Sequence, residues 1–169
     1  YRTYDSYRFH RSTSSRSRRC KTAIGGVKIV KYLQIQKDFI GKLHKRKNNN
    51  DYEFVIFKGD EGRFIGDGYK LYKMPDEELL LNLEGITEMK LSSINMTDSQ
   101  LVHETGTLEV LGKDTCKILR NENFEIAVNQ TFFKYFNEDM LYKASGEHSP
   151  LLCYENEKLV AILMPVRRG

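Results

Sequence analysis

The sequence is poor in cysteine and lacks any long apolar run. Its three cysteines, Cys20, Cys116 and Cys153, lie far apart and do not have the paired spacing of a zinc site or a C-x-x-C redox motif. Scattered cysteines in odd number favour free thiols in a reducing, cytoplasmic compartment. No stretch approaches the roughly 18 apolar residues that a membrane span requires, and no hydrophobic stretch follows the Arg/Ser-rich N-terminal segment. We therefore expect no signal peptide, no membrane anchor and no membrane partner.

Recognisable catalytic and metal-binding motifs are also missing. The four histidines are scattered, with no H-x-x-x-H pair, and no cysteine or serine lies in a nucleophile motif. The acidic, glycine-containing stretch GDEGRFIGDGYK lacks the spacing of a calcium loop and the G-K-[ST] of a phosphate loop, so it favours a hairpin turn. The sequence predicts a non-enzymatic protein with no catalytic residues, no metal and no cofactor.

The positive charge is concentrated at one end of the chain. Residues 1–26 hold seven basic residues and one acidic residue, whereas the remainder holds 20 basic and 22 acidic residues. The stretch RSTSSRSRR has the composition of a solvated, disordered arm. Two interpretations of this arm stay open: a nucleic-acid-binding extension, or a segment foreign to the native protein, because the chain lacks an initiating Met. Residues 27–169 are predicted to form one domain.

In the first half of that domain, the spacing of the apolar residues changes from that of a strand to that of a helix. VKIVKYLQI alternates as a strand over residues 27–35, and from Gln36 the apolar side chains follow a helical period that predicts a helix over 36–47. Its inner face would hold Ile35, Phe39, Ile40 and Leu43. YEFVIF (52–57), the turn KGDEG and RFIGDGYKLYKM (63–74) then predict a hairpin with a glycine-marked bend.

The second half repeats this plan. FEIAV (124–128) predicts a strand, Asn129 a helix N-cap, and QTFFKYFNE a helix over 130–138 with Phe132, Phe133 and Phe136 on one face. Three strands follow, in DMLYKAS, PLLCYE and KLVAILMPV. Between the halves, EELLLNL is a short helix or a linker, and MKLSSINM and TGTLEVLG favour strands. The fold class is α+β, with a duplicated β-α-β-β-β plan and two helices on one side of an antiparallel sheet.

Two stretches resemble a known family. FEIAVNQTFFKYF followed by SPLLCYENEKLVAILMPVR is similar to the closing section of bacterial sliding clamps, the ring-shaped processivity factors of replicative DNA polymerases. Asp67-Gly68-Tyr69-Lys70-Leu71 resembles the D-G-x-R-L turn of the same family, whose domain is itself a duplicated β-α-β-β-β unit. The resemblance covers about residues 27–74 and 124–167. It implies a single clamp-like domain, either one of phage or mobile-element origin or a fragment of a longer clamp.

The resemblance implies a groove for partner peptides. In clamps, a short apolar peptide enters a pocket lined by the D-G-x-R-L turn and the last strand. The matching positions here are Asp67, Gly68, Tyr69, Lys70, Leu71, Ile162, Met164, Pro165, Val166 and Arg167. The alternative is that Ile162, Met164 and Val166 form the inner face of a core strand. Pro165 lacks an N–H, so the chain near 164–167 is expected to lie at a sheet edge or to leave the sheet.

The resemblance also implies DNA and protein partners. Clamp helices present basic side chains to phosphate, and the matching candidates are Lys37, Lys42, His44, Lys45 and Lys134. The leading hypothesis is an accessory factor of DNA replication or repair that binds DNA polymerase or other replication proteins through short peptides and encircles DNA as a homo-oligomer. The alternatives are a small nucleic-acid-binding or regulatory protein that works through its basic arm, and an enzyme of unrecognised type.

Overall fold

The computed structural model describes residues 30–46, 55–59, 62–82, 88–90, 97–137 and 139–168. Ten strands, one α-helix and two short 3₁₀ helices make up this part of the chain. The strands are β1 Val55–Gly59, β2 Gly62–Gly66, β3 Lys70–Lys73, β4 Glu88–Lys90, β5 Gln100–Leu111, β6 Asp114–Arg120, β7 Glu125–Asn129, β8 Leu141–Ala144, β9 Leu151–Glu155 and β10 Lys158–Leu163. The α-helix, α1, spans Tyr32–Arg46, and the 3₁₀ helices span Asp76–Glu78 and Gln130–Tyr135.

All ten strands belong to one sheet, in the order β4-β1-β2-β3-β10-β9-β8-β5-β6-β7. Every neighbouring pair is antiparallel except β1 and β4, which are parallel. The predicted α+β class, with few helices against a large antiparallel sheet, is confirmed. Strand β10 lies in the interior of the sheet, between β3 and β9.

The hairpins follow from local turn chemistry. Asn156 and Glu157 both have positive φ, 48° and 64°, which is the backbone of a two-residue turn whose twist matches that of antiparallel strands. Strands β9 and β10 therefore pair directly across this turn, with Glu155 opposite Lys158. The three predicted strands after residue 138 are all present, as β8, β9 and β10.

Helix α1 begins earlier than the sequence pattern indicates. The prediction of a strand over 27–35 is wrong for all its described residues, because residues 30 and 31 lie outside any strand and residues 32–35 form the first turn of α1. Leu33 is 63% exposed and Ile35 is 0% exposed, so the two side chains that suggested strand alternation point to different sides of a helix. Ile40, which was expected on the inner face, is 50% exposed. Residues 27–29 and the side chain of Leu43 lie outside the described part.

The second predicted helix is shorter and of another type. A 3₁₀ helix covers Gln130–Tyr135 in place of a helix over 130–138, and Phe136 already has an extended backbone. The predicted N-cap is confirmed, since the side chain of Asn129 accepts a hydrogen bond of 2.9 Å from the Thr131 N–H. Phe133 and Phe136 are buried, whereas Phe132 is only partly buried.

Both helices pack into one hydrophobic cluster, the inner core. The cluster joins Ile35 and Phe39 of α1 and Phe133 and Tyr135 of the 3₁₀ helix to side chains from eight strands. Tyr72 of β3 is fully buried in it; its ring contacts Phe39, Tyr135 and Phe136, and its hydroxyl donates a hydrogen bond of 2.9 Å to the Phe132 carbonyl.

The strand expected in TGTLEVLG is confirmed; of MKLSSINM, Met89 and Lys90 belong to β4, and residues 91–96 lie outside the described part. EELLLNL contributes only the end of the 3₁₀ turn Asp76–Glu78, and the buried Gln36 side chain binds the chain beyond it, donating to Glu78 O and accepting from Leu80 N, each at 2.7 Å. The expected strand in TGTLEVLG is the second half of the twelve-residue β5. Strand β6, in DTCKILR, was not predicted.

Candidate functional site

A tight turn separates β2 from β3 and presents Tyr69 to solvent. The Asp67 N–H donates to Lys70 O at 3.3 Å, and the Asp67 carboxylate accepts from the Tyr69 N–H at 3.3 Å. Gly68 has a φ of 81°, which favours glycine, and a Cβ on Gly66 would lie 1.9 Å from Lys70 O. The motif residues are therefore needed to build the turn, and Tyr69 at its tip is 62% exposed.

The segment after β10, residues 164–168, contacts this turn. Strand β10 ends at Leu163, and the Met164 N–H donates a hydrogen bond of 2.8 Å to Tyr69 O. Pro165 follows, and the chain leaves the sheet here as its missing N–H predicted. Met164 and Pro165 are both partly exposed. The structure thus brings together the two motifs that the sequence singled out.

The ten predicted groove residues divide into exposed and buried sets. Leu71 and Ile162 are 5% and 1% exposed, and they pack in a cluster with Phe64, Leu152 and Leu159, so no peptide can reach them in this conformation. Asp67, Lys70 and Val166 are partly exposed but are held by neighbouring groups, and the other five residues, Gly68, Tyr69, Met164, Pro165 and Arg167, are partly or fully exposed at the junction. We refer to these five residues as the junction surface.

Lys70 and Asp67 belong to the framework of the turn. The Lys70 ammonium lies 3.7 Å from the Asp67 carboxylate and 4.4 Å from the centroid of the Phe132 ring. Both side chains are largely buried, with 15% and 14% of their surface exposed. The positive charge of Lys70 is therefore directed at its neighbours in the turn, and Arg167 is the exposed cation of the junction surface.

The rest of the 164–168 segment lies against the far end of the sheet. The Val166 N–H donates to Ala127 O of β7 at 2.8 Å, and the Val166 side chain packs against Cys116, Ile118 and Ala127. Arg168 forms ion pairs with Glu125 at 3.0 Å and Glu109 at 3.1 Å. The segment is thus held at both sides of Pro165, which positions the junction surface.

The predicted DNA-contacting residues are only partly described. Lys37 is exposed on α1, as expected for the outer face. Lys134 is ion-paired with Asp38, which also accepts a hydrogen bond of 2.6 Å from Tyr135. The hydrogen bonds from Lys134 and Tyr135 lower the pKa of the Asp38 carboxyl to about 2. Lys134 therefore ties the 3₁₀ helix to α1.

The remaining DNA candidates lie outside the described residues or side chains. These are the side chains of Lys42, His44 and Lys45 and the whole of the basic arm, residues 1–26. Their predicted roles stay predictions.

A second site, which the sequence did not indicate, is a cleft of about 540 Å³ between β5, β6, β8 and the 3₁₀ helix Gln130–Tyr135. Its polar lining consists of His103, Glu104, Lys117, Asn137 and Tyr142. Aromatic and aliphatic side chains complete the wall, among them Phe133, Phe136 and Met140. These residues come from distant parts of the chain, so no spacing rule could group them.

One local feature does mark the region. Gly106, with a φ of 77°, lies where the pairing of β5 and β6 is irregular, between Glu104 and Leu108. The Thr105 hydroxyl donates to Ile118 O at 3.0 Å and accepts from the Thr107 N–H at 3.1 Å. Glycine inside a strand pattern is typical of such bulges, which are frequent beside functional sites.

The described residues hold neither a candidate metal cluster nor a helix suited to span a membrane. Within the described ranges, no group of three or more His, Cys, Asp or Glu side chains is arranged to hold a metal ion. No helix in this part of the chain has the length and apolar character needed to cross a bilayer. Cys116 and Cys153 are buried free thiols, and desolvation raises the pKa of each.

Comparisons with known proteins give no relative. No protein-family model, no curated protein and no solved structure matches the chain.

Proposed function

We propose that this chain is a non-catalytic protein-binding module that holds a short peptide against the junction surface. The observation that carries the proposal is the hydrogen bond of 2.8 Å between Met164 N and Tyr69 O, which joins the exposed turn to the segment after β10. A partly exposed methionine and proline beside an exposed tyrosine offer an apolar contact with an adaptable shape.

The chemistry of the surface defines the peptide. Tyr69 supplies a large, rigid contact area with a hydroxyl at its end, and Met164 can adjust to different apolar side chains. Arg167 adds an exposed positive charge beside Pro165. A peptide with one or two large apolar side chains and a neighbouring carboxylate complements these groups.

In this proposal the module is a duplicated, clamp-like accessory factor of cytoplasmic DNA replication or repair. Support comes from the resemblance of Asp67–Leu71 and of residues 124–167 to sliding clamps. The peptide would belong to DNA polymerase or to another replication protein, and several copies of the chain would surround DNA. Lys37 is the described side chain suited to contact phosphate.

A selection from a random heptapeptide library tests the peptide part of the proposal. The immobilised chain should enrich peptides that combine apolar and acidic residues. Tyr69→Ala and Met164→Ala should each weaken binding of the selected peptides about five- to thirtyfold, as expected when an interface anchor is truncated at a cost of about 1–2 kcal/mol.

Val110→Ala is a matched control, because Val110 is apolar, 75% exposed and not part of the junction surface. Its affinity for the selected peptides should equal that of the parent chain. Selected peptides that bind Tyr69→Ala, Met164→Ala and the parent chain equally would rule out the junction surface as their site.

A further inference from the structure

The cleft has the size and the composition of a small-molecule site. Its volume, about 540 Å³, lies within the range of roughly 300–1,000 Å³ that is usual for ligand pockets. Such pockets combine apolar and aromatic walls with a few convergent polar groups. None of the residues that line the cleft belongs to the junction surface, so the two sites are distinct.

The charged groups of the cleft neutralise each other. The Lys117 ammonium lies 2.7 Å from the Glu104 carboxylate. Lys117 also lies 4.9 Å from the centroid of the Phe133 ring. A charged ligand would find no uncompensated opposite charge in this set and would lose its hydration, so the cleft favours an uncharged ligand.

One polar group of the cleft still needs a partner. The Asn137 Nδ2 atom is buried and has no hydrogen-bond partner in the structure, within the part of the chain described. Asn137 lines the cleft. A buried amide N–H without a partner costs about 1–3 kcal/mol, and a ligand oxygen that accepted from it would recover this energy. The missing group is thus a hydrogen-bond acceptor.

The walls favour a flat ligand. Phe133 contacts Phe136 and Tyr142 edge to face, with ring centroids 6.1 and 5.7 Å apart. Aromatic rings in such arrangements offer faces and edges on which another planar group can pack. Met140, which also lines the cleft, can adjust to the outline of a bound molecule.

We propose that the cleft binds a small, uncharged, planar molecule: the partly exposed Asn137 side chain turns towards it so that Nδ2 donates to its carbonyl oxygen, and its flat part covers the edges of Phe133 and Phe136 that line the cleft. This binding activity is separate from the peptide binding at the junction surface. Ligand binding in the cleft does not depend on peptide binding at the junction surface, since the two sites share no residue.

Benzamide, which is uncharged and planar and carries a carbonyl oxygen, is the probe. Titration into the isotopically labelled full chain should shift the Asn137 side-chain amide and the Tyr142 resonances saturably, at low-millimolar concentration as expected for a ligand of this size. Benzoate has the same outline with a negative charge and should bind at least about tenfold more weakly.

Asn137→Leu removes the donor and should weaken benzamide binding about tenfold, which corresponds to about 1.4 kcal/mol. Asn137→Asp keeps the shape of the side chain and also removes the donor, so it replaces Asn137→Leu if that variant does not fold. It should bind benzamide as weakly as Asn137→Leu. Val110→Ala, away from the cleft, should bind like the parent. The proposal is overturned if benzamide causes no saturable shift, if benzoate binds as tightly as benzamide, or if both folded Asn137 variants keep the parent affinity.

Discussion

Strand β10 and the 164–168 segment are continuous in the sequence, yet they lie in different environments. Five of the six residues of β10 are buried, and the strand has a neighbour on each side. One residue after its end, Met164 is partly exposed and contacts the turn at Tyr69. Residues 159–166 are all apolar, so hydrophobicity does not mark the end of the strand. Pro165 does, because a residue without an N–H cannot continue a central ladder. A single backbone property thus marks where the core ends and an accessible surface begins.

The largest effect is expected inside the strand. Ile162→Ala should lower the free energy of unfolding by about 2–5 kcal/mol, because Ile162 is 1% exposed and its removal leaves a cavity between Leu71 and Leu152. Denaturant unfolding measures this loss. If the variant unfolded at the same midpoint as the parent, the contrast between strand and segment would be lost.

For Met164, two residues after Ile162, we expect truncation to weaken peptide binding more than it lowers stability. Met164→Ala should lower the free energy of unfolding by less than about 1 kcal/mol, while the affinity for peptides selected on the junction surface falls by about 1–2 kcal/mol. Unfolding and peptide titration on this one variant separate the two regions. A large loss of stability with unchanged affinity would assign Met164 to the core and remove the peptide site.

At the end of the segment, the ion pairs of Arg168 should contribute little. Its side chain is 37% exposed, so Arg168→Ala should cost at most about 1 kcal/mol, and the difference from the parent should shrink in 1 M salt. Arg167→Ala is the matched control and should leave the stability unchanged. A cost that was large and independent of salt would indicate that the segment is a structural part of the sheet.

The smallest effect is expected from the ion pair between Asp38 of α1 and Lys134 of the 3₁₀ helix Gln130–Tyr135. Because the pKa of Asp38 is lowered to about 2, its contribution to stability is present above about pH 4 and is lost as the pH falls towards 2. Lys134 is 52% exposed, so the contribution should be about 0.2–1 kcal/mol. Asp38→Asn should therefore be less stable than the parent at pH 6, and the difference should vanish near pH 2. An unchanged difference at both values would contradict this.

Features that depend on interactions between neighbouring residues could be predicted from the sequence, whereas features that depend on contacts between distant residues could not. The strands after residue 138 were predicted because the alternation and the Asn156-Glu157 turn are local signals. The Asn129 cap is local as well. By contrast, the start of α1 depends on contacts with distant residues, such as the hydrogen bond from Lys31 N to Tyr135 O. Local alternation at Leu33 and Ile35 was therefore misleading.

The junction surface and the cleft also differ in whether their residues are close together in the sequence. The junction surface is built by two short motifs, so a motif comparison could locate it. It could not show that Leu71 and Ile162 are buried, since this depends on the cluster with Leu152 beneath them. The cleft combines side chains from β5, β6, β8 and the region of Asn137, and no single stretch of the sequence carries its chemistry.

The contact between Val166 and β7 has a consequence for solution behaviour. Strand β7 lies at one end of the sheet, and such edges expose backbone groups that recruit strands from other molecules and begin aggregation. Here the Val166 N–H already occupies Ala127 O, and the Val166 side chain covers apolar atoms of Cys116 and Ile118. Residues 164–168, which contribute to the junction surface, thus also cover the edge strand β7, where aggregation could begin. Under our proposal, a partner peptide that bound at Met164 and pulled residues 164–168 away would uncover β7, and peptide binding would then promote self-association of this chain.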